Sequence, residues 1–537
     1  MKLNYKKTIF VGFAFFLICA FWQAYDTIIP KILTDKFGLS QTASGAIMAI
    51  DNVLALFMLP LFGSLSDRTK TRLGRRTPYI LAGTLAASIL FVGLSFVDNM
   101  QLTRLDAVSD YSSKQTLEYL YDYDYEIKGE GDGAYQLMDN DGNKFILKDE
   151  ISREEFTSIT LEVPKVDKRT GEVVLDKDGN PKMTTNPLYT QFVTPARQAY
   201  AWEMTAKSPI TLIFFIVLLL LTLLSMATFR SPAVALMPDV TVNPLRSKAN
   251  AVINLMGTAG GIIVLVLGIV FGTGSIYNDL MSYTGFFVSV SALMLAALIV
   301  FMWKVREPKL VAEKEEESRR YNIDESEEKP DGKTGSGLTK GEKISLLLIL
   351  ASVVLWFMGY NAVTSKYSVY AGNELKLDYN LTLIIAQAAA IVSYIPVGII
   401  SSKIGRKKAI LAGIAILFTA FALAVFMTSQ SPAILMNLIF VLAGIGWATI
   451  NVNSFPMVVE LSRSGSVGKY TGFYYTASMA AQTITPVLSG FFMDNMGLRV
   501  LFPYAAVFVA LSFVTMLFVK HGDSRPEAPK GVLENFD

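Results

Sequence analysis

Residues 22–31 read WQAYDTIIPK, and residues 357–366, placed 335 positions later, read FMGYNAVTSK. At that shift Tyr25-Asp26 falls on Tyr360-Asn361 and Lys31 falls on Lys366. The register continues with Asn52 on Gln387, Gly63 on Gly398 and Arg68 on Lys403. After one slip of four residues, Gly74-Arg75-Arg76 falls on Gly405-Arg406-Lys407. The matches are few and partly conservative, but they hold a common position relative to the hydrophobic segments. Two like halves of several helices, with a site between them, are the usual build of a secondary transporter.

Composition sets the solvent. Of 537 residues, 52% are hydrophobic and 18% are charged, less charge than a soluble chain of this length carries. Twelve apolar runs recur, each long enough to cross ~30 Å of hydrocarbon. They lie near 8–31, 41–66, 78–97, 209–229, 249–272, 283–303, 343–365, 380–400, 409–428, 432–455, 470–492 and 499–519. Backbone polar groups in lipid must be satisfied within their own segment, so the runs predict helices. The expected fold class is an all-α membrane protein of twelve transmembrane helices in two pseudo-symmetric six-helix halves.

Charge placement gives the topology. Lys2, Lys6 and Lys7 precede the first run; Arg68, Lys70, Arg72, Arg75 and Arg76 follow the second; Lys403, Arg406, Lys407 and Lys408 follow the eighth. The opposite loops are poorer in Lys and Arg, which predicts both termini in the cytoplasm of a multi-pass cell-membrane protein. The first run carries an Asp and lacks a small-residue cleavage site, so it reads as a retained helix. The single cysteine, Cys19, rules out a disulfide within the chain. The single histidine, His521, lies past the last run, which excludes a histidine relay inside the membrane.

Two polar segments interrupt the runs. Residues 304–342 read as a cytoplasmic linker, largely disordered with some helix, between an N-terminal half (1–303) and a C-terminal half (343–519). A tail (520–537) follows. Residues 98–208 have no counterpart in the second half, since the offset falls from 331 at Arg75/Arg406 to 221 at Asp239/Glu460. Turn signals at DNDGN (139–143), KRTGE (168–172) and DKDGNP (176–181) predict a small β-rich extracytoplasmic insertion between helices three and four. Asp139, Asp141, Asn143 and Glu150 have partial calcium-loop spacing. Gly142 stands two positions too early for that loop, so a plain hairpin turn without metal is expected.

GSLSDRTKTRLGRRTPYI (63–80) lies between runs two and three. It resembles the signature of the major facilitator superfamily: a Gly, then Asp-Arg, then Gly-Arg-Arg. The five-residue spacer TKTRL resembles the glycoside-pentoside-hexuronide and sucrose-type sugar:cation symporter branch. RSPAVALMPDVTVNPLRSKANAVINLMG (230–257) and GKYTGFYYTASMAAQTITPVLSGFFMD (468–494) resemble the same branch. The resemblance covers the helical core and neither the insertion nor the linker. It implies alternating access, with Gly63, Asp67, Arg68, Arg75, Arg76 and Asp239 as gating residues on the cytoplasmic side. Gly63 would allow close helix packing, and an Arg would hold the acidic helix end at Asp239. The second copy, GIISSKIGRKK (398–408), is degenerate, with Ser402 where Asp67 stands.

Ionisable residues inside a transmembrane helix are costly and functional by default. Asp26 and Asp51 both lie roughly 24–27 Å from their cytoplasmic ends at about 1.5 Å per residue. Two nearby carboxylates in a low dielectric cannot both ionise cheaply, so one carries a proton; the pair is expected to couple transport to protons. The plainer alternative is a structural Asp26 satisfied by Lys31 or water. Compared with the melibiose-carrier pattern, run two has Ile47 and Ala55 where a second Asp would stand, and run four lacks a deep Asp. Protons are therefore favoured over sodium.

A sugar site needs hydroxyl partners and apolar ring faces in one cavity. The expected substrate-binding set is Trp22, Gln23, Tyr25, Asp26, Asn52, Trp356, Tyr360, Asn361, Gln387 and Asn451. Asn254, Asn453 and Gln482 also lie in runs. Arg230 would sit ~13 Å in from Asp239 on a continuous helix, to hold a substrate, pair with an inner carboxylate or snorkel.

The expected function is proton-coupled symport of a sugar, a glycoside or disaccharide. One rival is an exporter of drugs or metabolites in the same fold. Another is a membrane receptor or sensor that uses the outer insertion. No nucleophile–base or metal constellation appears, so no enzyme and no cofactor beyond the coupling ion are expected. The expected partners are a small-molecule sugar and the lipid bilayer, with no nucleic acid, and the chain is expected to act as a monomer.

Overall fold

A computed structural model describes residues 3–110, 113–166, 172–175, 178–242, 245–275, 280–321, 339–461 and 467–521. Six long helices build the first half: α1 (Tyr5–Lys31), α2 (Gln41–Arg68), α3 (Thr77–Arg104), α4 (Ile210–Val240), α5 (Arg246–Phe271) and α6 (Thr284–Lys304). Six build the second: α7 (Lys340–Tyr370), α8 (Tyr379–Ile404), α9 (Arg406–Ala424), α10 (Ala433–Glu460), α11 (Val467–Met496) and α12 (Leu501–Leu517). Ten helices among the described residues are long and apolar enough to cross a membrane. α8 contributes a shorter apolar stretch among the described residues, Tyr379–Tyr394, and α11 carries Thr, Ser and Gln along its length.

Local chemistry sets the helix ends. Ser40 Oγ accepts from the Ala43 amide at 3.1 Å and starts α2. Thr339 and Glu342 form a capping box at the start of α7. Gly405, at φ +93°, turns α8 directly into α9. The repeat is visible in the backbone: α1 and α7 each run on into one π-helical turn, Ile32–Lys36 and Ala371–Leu375.

Each half has its own apolar core. One joins Phe21, Phe91, Phe229 and Phe287; the other joins Trp356, Tyr367, Phe421 and Phe502. Small residues set the helix spacing. A Cβ on Gly257 would sit 2.8 Å from Cys19 Sγ where α5 meets α1, and one on Gly45 would strike the Pro486 carbonyl oxygen where α2 meets α11.

The insertion departs from the β-rich expectation. Its strands are two antiparallel pairs, Leu137–Met138 with Lys144–Phe145 and Glu162–Pro164 with Met183–Thr185. Helices Lys114–Asp122, Leu147–Glu150, Arg153–Thr157 and Thr194–Lys207, with the π-helical turn Tyr189–Val193, supply most of its core, which includes Leu117, Leu120, Phe156, Phe192 and Tyr200. The alternating segments are too short to make more than two-stranded sheets, and the apolar spacing in KQTLEYLYD favours a helix. DNDGN is a hairpin turn: Asp139 accepts from the Asp141 and Asn143 amides at 2.9 and 2.8 Å, with Gly142 at φ +86°. Of the KRTGE and DKDGNP turns, residues 168–171 and 176–177 lie outside the described residues, as do 322–338 of the linker and 522–537 of the tail.

The halves meet mainly on the side that carries the insertion. There Asp494 of α11 accepts from the Gln41 and Thr42 amides at 2.6 and 2.7 Å, and Lys366 Nζ donates to the Gln41 carbonyl at 2.7 Å. The matching corner closes similarly: Tyr379 and Asn380, at the start of α8, donate to Thr273 Oγ1, while Lys31 Nζ donates to the Thr273 carbonyl. The internal repeat therefore produces two like clasps on the insertion side.

Candidate functional site: a central cavity and a basic clasp

A cavity of about 380 Å³ lies between the halves, and α1, α5, α7, α8 and α10, with Phe421 of α9, supply its walls. Trp22, Gln23 and Asp26 line it from the first half; Tyr360 and Gln387 line it from the second. Gln387 Nε2 donates to Gln23 Oε1 at 2.6 Å across the divide. Trp447 stacks on Tyr360, with centroids 3.6 Å apart and planes 5° from parallel. The Trp22 indole N–H is buried and lacks a partner. The cavity thus offers amides, a carboxylate, an unused donor and a stacked aromatic pair.

Asp51 sits behind Trp22. A small crevice joins Trp22, Asp51 and Arg230, and the Arg230 guanidinium lies 5.2 Å from the Trp22 ring centre. Arg230 is within electrostatic reach of both Asp26 and Asp51. Asn52 Nδ2 donates to Asp51 Oδ1 at 2.8 Å, so it orients that carboxylate and does not line the main cavity. Two carboxylates and one guanidinium give this cluster a formal charge of −1 when fully ionised, and one proton makes it neutral. The neutral form is the cheapest to enclose in low dielectric.

Other expected members lie elsewhere. Tyr25 is 1% exposed in the core of the first half, with its hydroxyl 3.4 Å from the Met48 carbonyl. Trp356 is fully buried in the core of the second. Neither lines the cavity; bulky aromatics on helices that face their own half serve packing first. Asn361 keeps a buried amide N–H without a partner. Asn451 is exposed and hydrogen-bonds the hydroxyl of Tyr394, a cavity residue. Trp447 and Tyr394 were not singled out from sequence. Trp447 stands one helical turn before Asn451, a spacing that puts both on one face and could have drawn it in.

The basic motif forms a clasp on the opposite side from the insertion. Asp239 takes both arginines: Arg75 Nη2 at 2.6 Å on one oxygen, Arg76 Nε at 2.7 Å on the other. Arg76 also meets Asp67 and Ser66 Oγ. A Cβ on Gly63 would lie 2.9 Å from Ser231 Oγ, so this glycine seats α2 against α4. Arg68 is exposed and joins none of these contacts. Glu307, at the start of the linker segment, completes the clasp. It opens the helix Glu307–Arg320 and is 1% exposed. Its carboxylate accepts from the Arg75, Arg76 and Thr77 amides at 2.8–3.0 Å and so caps α3. All these partners belong to the first half and the linker helix. The Ser402 and Glu460 side chains, which would form the second copy, lie outside the described residues.

Two like helical halves around a polar cavity define a multi-pass membrane protein of the two-bundle kind. The chain belongs to the Major Facilitator Superfamily, whose sequence model matches residues 198–482 and 380–535. A second model, described as MFS/sugar transport protein, matches residues 10–109. Among curated proteins, the Escherichia coli (strain K12) protein named for glycoside/cation symport, YagG, is 39% identical over 75 residues, 14% of this chain and 16% of that one. YqgE of Bacillus subtilis (strain 168), an uncharacterized protein, is 26% identical over 193 residues, 34% and 43% of the two chains. The chain thus matches less than half the length of these relatives. Among solved structures, the inward-open xylose transporter XylE from E. coli aligns with TM-score 0.56 at 12% identity over 98% of both chains. A D-xylose-proton symporter aligns with TM-score 0.54 at 13% identity over 97% and 99%. At such identities the likeness concerns the fold alone.

Proposed function

We propose that this chain is a secondary transporter that carries a saccharide together with a proton by alternating access. The observation that carries the reading is the meeting of Gln23, Gln387, Asp26 and the Tyr360/Trp447 stack in one cavity between the halves. Amides and a carboxylate bind hydroxyls, and a stacked aromatic pair offers a flat apolar face to a pyranose. The short stretch shared with a relative named for glycoside/cation symport agrees with that chemistry. In this reading α8 and α11 complete twelve crossings, both termini are cytoplasmic, and the basic clasp lies on the cytoplasmic side of a cell membrane. The insertion side is the outer side, closed in this state.

Coupling follows from charge. The cluster of Asp26, Asp51 and Arg230 is cheapest to enclose with one proton bound. The substrate is needed as well, because an empty protonated carrier leaves the Trp22 donor without a partner. Coupling requires that the loaded and fully empty forms reorient more readily than the form with proton alone.

The test is flux in liposomes that hold a pH dye, with neutral mono- and disaccharides added outside. Lumen acidification by one sugar, lost in Asp51→Asn and in Asp26→Asn, is the expected result. Labelled sugar entry without acidification would leave saccharide transport standing and remove the proton. No response to any sugar from protein shown to be folded would overturn the saccharide assignment.

A further inference from the structure

The insertion reaches across to the other half. At its 139–143 turn, Asn140 Nδ2 donates to the Asn373 carbonyl at 3.0 Å, and Asp141 pairs with Arg499 at 2.7 Å. Glycines let the two backbones touch: a Cβ on Gly142 would lie 2.7 Å from the Met496 carbonyl carbon, and one on Gly497 would strike the Asn140 carbonyl oxygen. Beside this strap lies a second cavity, of about 370 Å³, separate from the central one. Its walls come from three bodies: Gln136, Gln198 and Trp202 of the insertion, Gln41 of α2, and Asp494 of α11.

The lining is chemically specific. Both Asp494 oxygens are taken by the start of α2, and both Asp139 oxygens by their own turn. Lys128 also lines the cavity but is exposed. What remains includes the Gln41 and Gln198 amides, the side-chain oxygen of Gln136, whose Nε2 already donates to the Tyr125 carbonyl at 3.1 Å, the Tyr135 side chain and Trp202. Gln41 is 7% exposed, and its Oε1 is buried without a hydrogen-bond partner. A buried carbonyl oxygen left unpaired is costly, and a ligand hydroxyl would satisfy it. Amides around an indole face suit a neutral, hydroxyl-rich ring.

We propose that this cavity is a second ligand site, for a neutral saccharide, which exists only while the insertion side is shut. A ligand that binds one conformation alone shifts the population toward it. Saccharide on the insertion side therefore holds that side closed. The site does not depend on what the central cavity carries.

The test uses the full chain in lipid nanodiscs with Gln23→Ala and Gln387→Ala in the central cavity. Glucose, xylose, maltose and sucrose are titrated, with glucuronate and glucosamine as charged comparators, and binding is read by calorimetry. The expected result is saturable binding of at least one neutral sugar. That binding should weaken at least tenfold in Gln198→Ala and in Trp202→Ala, each checked for folding by gel filtration and unliganded melting temperature. It should also weaken at least fivefold in Asp141→Ala combined with Arg499→Ala, which releases the strap at two residues that do not line the cavity. No binding of any of the four sugars would overturn the proposal, leaving the cavity to water. Binding indifferent to Gln198 and Trp202 would place the site elsewhere, and binding indifferent to the strap variant would overturn its dependence on the closed state.

Discussion

At the residue scale, a membrane chain advertises its functional polar groups because they are expensive there. Trp22, Gln23, Asp26, Tyr360 and Gln387 were legible for that reason, and the structure gathers them in one cavity. Trp447 and Tyr394 were not, since an aromatic ring in an apolar helix is the common background. Tyr25 and Trp356 misled in the opposite sense: matched positions in a repeat can be kept for packing. Glu307 was hidden by its neighbours, one carboxylate among many in a charged segment. Its burial gives it a measurable role. Glu307→Ala should destabilise the first half by about 2–3 kcal/mol, as α3 loses its cap and three amides lose an acceptor. Thermal unfolding in detergent would show a lower midpoint, partly restored by Glu307→Gln. A midpoint equal to that of the native chain would show that water replaces the cap at no cost.

At the element scale, the apolar runs placed the long helices well, because twenty apolar residues have few other ways to satisfy their backbone in lipid. The insertion was harder. Its DNDGN turn was readable from Asn, Asp and Gly, but the segments around it were too short for sequence to separate strand from helix. Helix pairing was also invisible. That α2 meets α11 across the divide rests on Gly45 and Gly490, whose added Cβ atoms would strike the Pro486 and Gln41 carbonyls. Gly45→Leu should therefore weaken closure on the insertion side while leaving each half's core intact. Overpacking of this kind costs about 1–3 kcal/mol, enough to shift a two-state balance some five- to a hundredfold. Introduced cysteines at Gln198 or Met493, in a Cys19→Ser background, report the change. Faster labelling by a membrane-impermeant maleimide from the insertion side is expected, and unchanged rates would mean that the contact is not part of the gate.

At the scale of the whole molecule, three cores sit in one chain: one in each helical half and one in the insertion. Separate cores allow the halves to move as bodies, with only the contacts between them to break and remake. On the insertion side those contacts include the two clasps at Gln41 and Thr273 and the strap at Asn140 and Asp141. The strap is peculiar to this chain's architecture, because the second half has no matching segment. It can also be removed cleanly. The ends of α3 and α4 already touch, with Arg104 Nη1 donating to the Ser208 carbonyl at 2.7 Å and Thr211 Oγ1 to Gln101 Oε1 at 2.8 Å. A short Gly/Ser linker in place of residues 106–207 therefore bridges α3 to α4 without strain. Both halves should fold, since neither core draws on the insertion except through the packing of a few edge residues. The clasps remain, so sugar flux should persist, but the insertion side should spend more time open. The same cysteine at Met493 should label at least threefold faster than in the full chain, and sugar supplied on the insertion side should reach the central cavity more readily. If flux is abolished in a folded deletion variant, the insertion itself takes part in transport and the halves do not suffice. If flux persists and labelling does not change, the clasps alone set the closed state and the strap contributes nothing to it.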